Sequence, residues 1–212
     1  MRTYLALHRY LDVLVLSILF LILPISVSAD SFEQLRKESA NIKTIQASFV
    51  QKKSMKILNK PLVSEGRFYY VAPDSFRWEY LKPLRSAVIV YKGETRRYTA
   101  SGGKMIEDKS GGAQAMKIVL SEVTGWMSGK FDQNPSFTAT LKEGTNTTQI
   151  TLKPVGKSMS GMIEKIEITI SQKTATVKSV KIIESANAST LIDFTNVEIN
   201  KAISSAVFQD VQ

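Results

Sequence analysis

The stretch Gly66-Arg67-Phe68-Tyr69-Tyr70-Val71-Ala72-Pro73-Asp74-Ser75-Phe76-Arg77-Trp78-Glu79-Tyr80 decides the fold. Side chains on a β-strand point alternately to its two faces. In the first half Phe68, Tyr70 and Ala72 share one face, and Arg67, Tyr69 and Val71 the other. Ala72-Pro73-Asp74 interrupts the run with turn chemistry. In the second half Phe76, Trp78 and Tyr80 share a face, with Arg77 and Glu79 opposite and expected to point outward. The aromatic stripe reads either as ordinary core or as the lining of an apolar cavity. Curled antiparallel sheets with bulky interior aromatics and a helical cover often enclose ligand space.

The strand rhythm continues in both directions. Upstream, Ala47 to about Leu58 reads as a strand, and Asn59-Lys60-Pro61 turns it into Leu62–Val71. Downstream, Ser75–Leu81 ends at Lys82-Pro83. Ala87–Tyr91 and Thr95–Thr99 form a hairpin about Lys92-Gly93-Glu94. Gly102-Gly103, a short Lys104–Glu107 stretch and Gly111-Gly112 follow, the glycine pairs reading as flexible joints. Further strands are expected at Ser136–Lys142, Thr148–Pro154, Met162–Ile170, Thr176–Glu184 and Thr190–Ile199. Two helices are expected. Residues 31–45 open with Ser31 as cap and Gln34 three positions on, and carry Phe32, Leu35, Ile42 and Ile45 on one stripe. Residues 113–126 place Met116, Val119, Leu120 and Val123 at i, i+3, i+4 and i+7. Such a sheet hides its apolar face against a second sheet, or curls and lets helices cover the open side.

Composition narrows the chemistry. The chain has 212 residues, 43% hydrophobic and 22% charged, with no Cys, one His and a net charge of +9. Zero Cys excludes disulfides, thiolate metal sites, Cys nucleophiles and a lipobox acceptor. Residues 1–29 read as a cleavable signal peptide, with Arg2 and Arg9, the apolar run Val13–Ile25, and Val27-Ser28-Ala29 before Asp30. An uncleaved anchor is the alternative, but the run is short for a bilayer span of about 20 residues. Cleavage removes His8, and with it any His base or His-ligated metal. Residues 30–212 are expected to form one exported domain. Outside the cytoplasm, its basic charge suits anionic headgroups, an acidic partner surface or simple solubility, and not nucleic acid.

Three blocks carry a resemblance. They are Ala47-Ser48-Phe49-Val50-Gln51 after the first helix, Gly66–Tyr80, and Val88-Ile89-Val90-Tyr91-Lys92-Gly93. This succession resembles the periplasmic outer-membrane lipoprotein carriers, the LolA family, over most of residues 30–208. The Pro73-to-Trp78 block is its most specific part. The resemblance implies a mainly β fold: a half-open antiparallel barrel of about ten to eleven strands, covered by a few α-helices that form a lid. It implies an apolar cavity for the acyl chains of a lipoprotein. An inner-membrane ABC-type release complex would load the carrier, and an outer-membrane lipoprotein receptor would unload it. The missing lipobox Cys favours the soluble carrier over the anchored receptor. A monomer in the periplasm, with no cofactor or metal, is expected. The chain departs from the family where Ala72 replaces the Arg before Pro73, and where Arg96-Arg97 replace an aromatic pair. Ala72 leaves open whether the lid is looser or held by another residue. Some relatives carry other lipid-linked products.

The acyl-lining residues expected on this reading are Phe49, Phe68, Tyr70, Phe76, Trp78, Tyr80, Val88 and Val90. The expected lid residues are Met116, Val119, Leu120 and Val123, although a plain packed helix would bury the same face. Met adapts to chains of varied shape because it is flexible and polarizable. A lipid- or lipoprotein-sensing regulator is the alternative function, but would normally need a second domain. An enzyme is the third. Glu107/Asp108 and Asp193/Glu198 are its acid pairs, yet on regular strands the members of each pair point to opposite faces. The Gly pairs also lack the Lys of a phosphate loop.

Overall fold

Period-two alternation runs through eleven strands. The structure, a computed structural model, describes residues 27–109, 122–209 and 211. The strands are β1 (Thr44–Met55), β2 (Leu62–Val71), β3 (Ser75–Lys82), β4 (Ser86–Tyr91), β5 (Glu94–Ser101), β6 (Lys104–Glu107), β7 (Phe137–Glu143), β8 (Thr147–Pro154), β9 (Lys165–Ser171), β10 (Thr176–Ser185) and β11 (Ala188–Ile199). Helix α1 spans Val27–Ser39, α2 residues 122–127 and α3 Lys157–Ser160; a 3₁₀ turn covers Ser205–Phe208.

All eleven strands form one antiparallel sheet in the order β6-β5-β4-β3-β2-β1-β11-β10-β9-β8-β7. Two meanders meet where β1 pairs with β11. The sheet remains open between β6 and β7, which makes a half-open barrel with α1 and α2 against its inner face. The sandwich alternative is thereby excluded.

Several expectations need correcting. The first helix ends at Ser39, so Ser31 lies inside it and does not cap it. Ile42 follows in a turn and Ile45 is already in β1. Both are buried, but as turn and strand residues, so their spacing imitated a helical stripe. Gly102 and Gly103 are not a joint. Both take positive φ and form the two-residue turn that pairs Ser101 with Lys104. Gly111-Gly112 lie outside the described residues.

Arg77 and Glu79 do not face solvent. They are 7% and 6% exposed, because the C-terminal turn folds over the outer face of β3 and β4. There Arg77 Nη2 lies 3.0 Å from Glu79 Oε2, and Arg77 Nη1 donates to the Val207 carbonyl at 2.8 Å. Phe208 is buried and stacks on Tyr91 with centroids 5.6 Å apart. Arg96 Nη2 donates to the Phe208 carbonyl at 3.0 Å, so half of the Arg96-Arg97 departure anchors the C-terminus. Arg97 pairs with Asp108 at 3.4 Å.

Candidate functional site

Register brings the expected lining residues together. Phe68, Trp78 and Val88 are consecutive cross-strand partners, as are Tyr70, Phe76 and Val90. Phe49 and Tyr80 both pair with Gly66. Directly opposed residues share a face, so all eight lie on the inner face. Six are buried, while Tyr80 and Val90 are partly so.

They pack against one another. Phe49 and Trp78 have ring centroids 4.5 Å apart, Phe49 and Tyr80 5.3 Å, and Phe68 and Trp78 5.6 Å. Phe194 of β11 completes the cluster, 5.9 Å from Trp78 and 6.0 Å from Phe68. Sequence reasoning missed Phe194; its signal is the Ile192/Phe194 alternation on the last strand. The β8, β9 and β10 wall opposite is aliphatic: Ile150, Leu152, Ile166, Ile168 and Val180. Between Ile45, Ala47, Phe68, Met127, Val177 and Phe194 a space of about 10 Å³ remains. Ligand sites typically offer roughly 300–1,000 Å³. Among the described residues the two walls thus pack into an apolar seam.

Gly66 allows this packing. A Cβ there would sit 2.1 Å from the Glu79 carbonyl and 2.3 Å from Phe49 Cζ. The absent side chain lets the Phe49 ring lie over β2.

Polar groups on this face gather toward one end. Tyr80 Oη donates to Gln51 Oε1 at 2.9 Å. Burial pushes the Tyr80 phenol above its usual pKa, with hydrogen bonding from Trp78 and Gln51 opposing. Lys53 pairs with Glu184, and Thr190 Oγ1 donates to Glu184 at 3.0 Å.

Of the expected lid residues, Met116, Val119 and Leu120 lie outside the described residues. Val123 is half-buried against the inner-face cluster. Trp126, Met127 and Phe131 are buried beside it. Gly129, at φ +72°, lets the chain turn against α1, where a Cβ would approach Arg36 Cα at 3.0 Å. Ala72 packs against the cluster and offers no charge. Instead, Tyr70 Oη lies 3.3 Å from both Ser128 Oγ and the Pro73 carbonyl, tying the end of α2 to the β2–β3 turn.

The Asp193/Glu198 pair does not have the geometry of a glycosidase acid pair. Asp193 pairs with Val50 and Glu198 with Gln46, so both carboxylates share a face, contrary to the regular-strand reading. A bulge between these positions, with Asn196 at φ 52°, restores the phase. Their partners still lie four positions apart on β1, roughly 13 Å, beyond the roughly 5–9.5 Å of glycosidase acid pairs. Among the described residues no cluster of three or more acidic or His side chains could hold a metal.

The profile of the family described as "Outer membrane lipoprotein carrier protein LolA" matches residues 40–210. An outer-membrane lipoprotein carrier protein of Dechloromonas aromatica (strain RCB) is 25% identical over 198 residues, covering 90% of this chain and 88% of that one. In fold the chain is similar to an uncharacterized conserved protein of Thermus thermophilus, with TM-score 0.55, 10% identity and 87% and 94% of the two chains covered. It is also similar to the Pseudomonas aeruginosa MucA/MucB complex structure, with TM-score 0.52, 14% identity and 86% and 60% covered.

Proposed function

The chain belongs to the LolA family of outer membrane lipoprotein carrier proteins, and we propose that it carries the acyl chains of lipoproteins, or of a related lipid, across the periplasm in the seam between its aromatic and aliphatic walls. Proteins of this family are carriers that bind rather than enzymes that transform. Residues 1–29 direct export and are removed, leaving residues 30–212 as the working domain. An inner-membrane ABC-type complex supplies the cargo, and an outer-membrane lipoprotein receptor accepts it.

The observation that carries this reading is the apolar inner face that runs from Leu141 on β7 to Val90 on β4, with its polar groups gathered toward one end. An acyl chain leaving a bilayer costs about 0.8 kcal/mol per methylene in water, on the order of 12 kcal/mol for sixteen carbons. A wall with few fixed polar contacts offsets that cost without demanding one cargo. Packing of the two walls against each other keeps the same surface from water. Phe49, Phe68, Tyr70, Phe76, Trp78, Tyr80, Val88 and Val90 form the aromatic wall, with Phe194 added. The role of lid falls to Met116, Val119, Leu120 and Val123, of which Val123 packs against the inner-face cluster.

The test is gel filtration of the exported protein with a triacylated lipopeptide in detergent-free buffer. Stoichiometric co-elution is expected. A lipopeptide that stays aggregated and never co-elutes overturns the reading.

A further inference from the structure

Exposed apolar side chains cluster at one end of the barrel. Among the described residues the large exposed ones are Ile57, Leu62, Val63, Leu84, Ile106, Val155 and Met162. All but Ile106 lie at or beside three loops: 56–61 between β1 and β2, 83–85 between β3 and β4, and 155–164 between β8 and β9. The pairings Lys53 with Leu62, Glu65 with Lys82, Tyr80 with Ser86, and Ile183 with Lys165 put these loops at the same end of the sheet. Three of the side chains are nearly free: Ile57 is 88% exposed, Leu84 80% and Met162 70%. Single exposed apolar residues are ordinary, but their concentration at one rim is not.

The opposite end differs. There α1 enters β1, Tyr70 meets Ser128, and Arg36 bridges to Asp132 at 2.7 Å. Its turns at 40–43, 72–74, 92–93, 144–146 and 172–175 carry no exposed large apolar side chain. The described helices α1 and α2 thus cover one end, and the apolar tips mark the other.

The rim is also basic. Lys56, Lys60, Lys82, Arg85 and Lys157 are exposed on it. Its acids are fewer: Glu65, which pairs with Lys82 at 3.0 Å, and Glu164. Lys56, Lys60 and Lys157 have no ion-pair partner among the described residues. Aliphatic tips interleaved with Lys and Arg match a bilayer interface with anionic headgroups, where the tips enter the headgroup boundary and the cations meet phosphate.

We propose that this rim is a docking surface for an anionic lipid bilayer, seating on the membrane the end of the barrel away from α1 and α2. The proposal concerns the outside of the barrel and stands whether or not the inner seam takes acyl chains. Several short tips together give weak, reversible and salt-sensitive attachment, because no single side chain buries enough apolar surface to anchor a protein.

The experiment is vesicle flotation of the exported protein, with vesicles of phosphatidylglycerol in phosphatidylethanolamine and with phosphatidylcholine alone. The wild type is expected to float with the anionic vesicles and to be released as salt rises. The triple variant Ile57→Ser/Leu84→Ser/Met162→Ser keeps its melting temperature, because all three side chains are exposed, and loses on the order of tenfold in vesicle affinity. The variant Lys56→Gln/Lys60→Gln/Lys157→Gln binds more weakly and with a smaller salt dependence. Failure of the wild type to float, or equal flotation of the triple variant, overturns the proposal. Rim variants that leave flotation unchanged but abolish delivery to a purified protein acceptor assign the rim to a protein partner instead.

Discussion

The Phe49 ring packs on Trp78 at a centroid separation of 4.5 Å, tilted by 36°, beside the point where Gly66 leaves β2 without a side chain. Packing of the seam and the identity of residue 66 are thus one feature.

Gly66→Ala puts a methyl within 2.3 Å of the Phe49 ring and 2.1 Å of a backbone oxygen. Backbone cannot yield as a flexible side chain does. Overpacking of this kind costs about 1–3 kcal/mol. Urea unfolding should show that loss, and near-ultraviolet dichroism should report a displaced aromatic cluster.

The C-terminal turn holds a second, smaller core on the outer face. Truncating buried Phe208 to Ala is expected to cost about 3–5 kcal/mol. Arg77→Ala leaves buried Glu79 with the more distant Arg85, 3.5 Å away, and costs a similar amount, about 3–5 kcal/mol. Replacing both Arg77 and Glu79 with apolar residues of like size should cost much less, because no unpaired charge remains. Urea titration of the three variants distinguishes these outcomes.

With Ala72 unable to form a charged lid contact, the Tyr70–Ser128 pair is the tie we identify there. Tyr70→Phe keeps the ring and removes the hydroxyl, at about 0.5–1.5 kcal/mol. Hydrogen exchange should accelerate in residues 122–129 while β1–β5 keep their protection. Equal acceleration in both would show that the hydroxyl stabilises the whole fold and not the cover.

Glu122, beside Asn134, has its carboxyl pushed above the usual range by burial, with the Asn134 hydrogen bond opposing. The folded state then holds its proton to higher pH than the unfolded state. Stability associated with this group falls as pH rises from the ordinary carboxylate range through the raised value, and it is greatest below that window. Glu122→Gln should remove this slope and protect α2 at neutral pH, as read by hydrogen exchange at two pH values.

Much of this was legible locally. Leu62–Val71 is a strand with the expected bounds, because alternation and turn residues frame it on both sides. The eight lining residues share a face because strand period is a local property. What escaped depends on distant chain. Arg77 and Glu79 carry charge and alternate with aromatics, so they read as solvated; burial comes from Val207 and Phe208, 130 residues away. Asp193 and Glu198 read as opposed until the bulge at Asn196 shifted the phase. Ile42 and Ile45 matched a helical spacing that ended at Ser39, a boundary set by where β1 finds its partners. The packed seam was equally hidden, since ring-to-ring contact depends on the curl of the whole sheet.

The most direct measurement is contact quenching of Trp78. The chain has two tryptophans, and a Trp126→Phe background leaves Trp78 as the reporter within the aromatic wall. A triacylated lipopeptide with brominated acyl chains is then titrated in. Saturable quenching of Trp78, reversed by an unbrominated competitor, is the predicted result. Lipopeptide binding that leaves Trp78 fluorescence unchanged would place the acyl chains elsewhere and contradict the account.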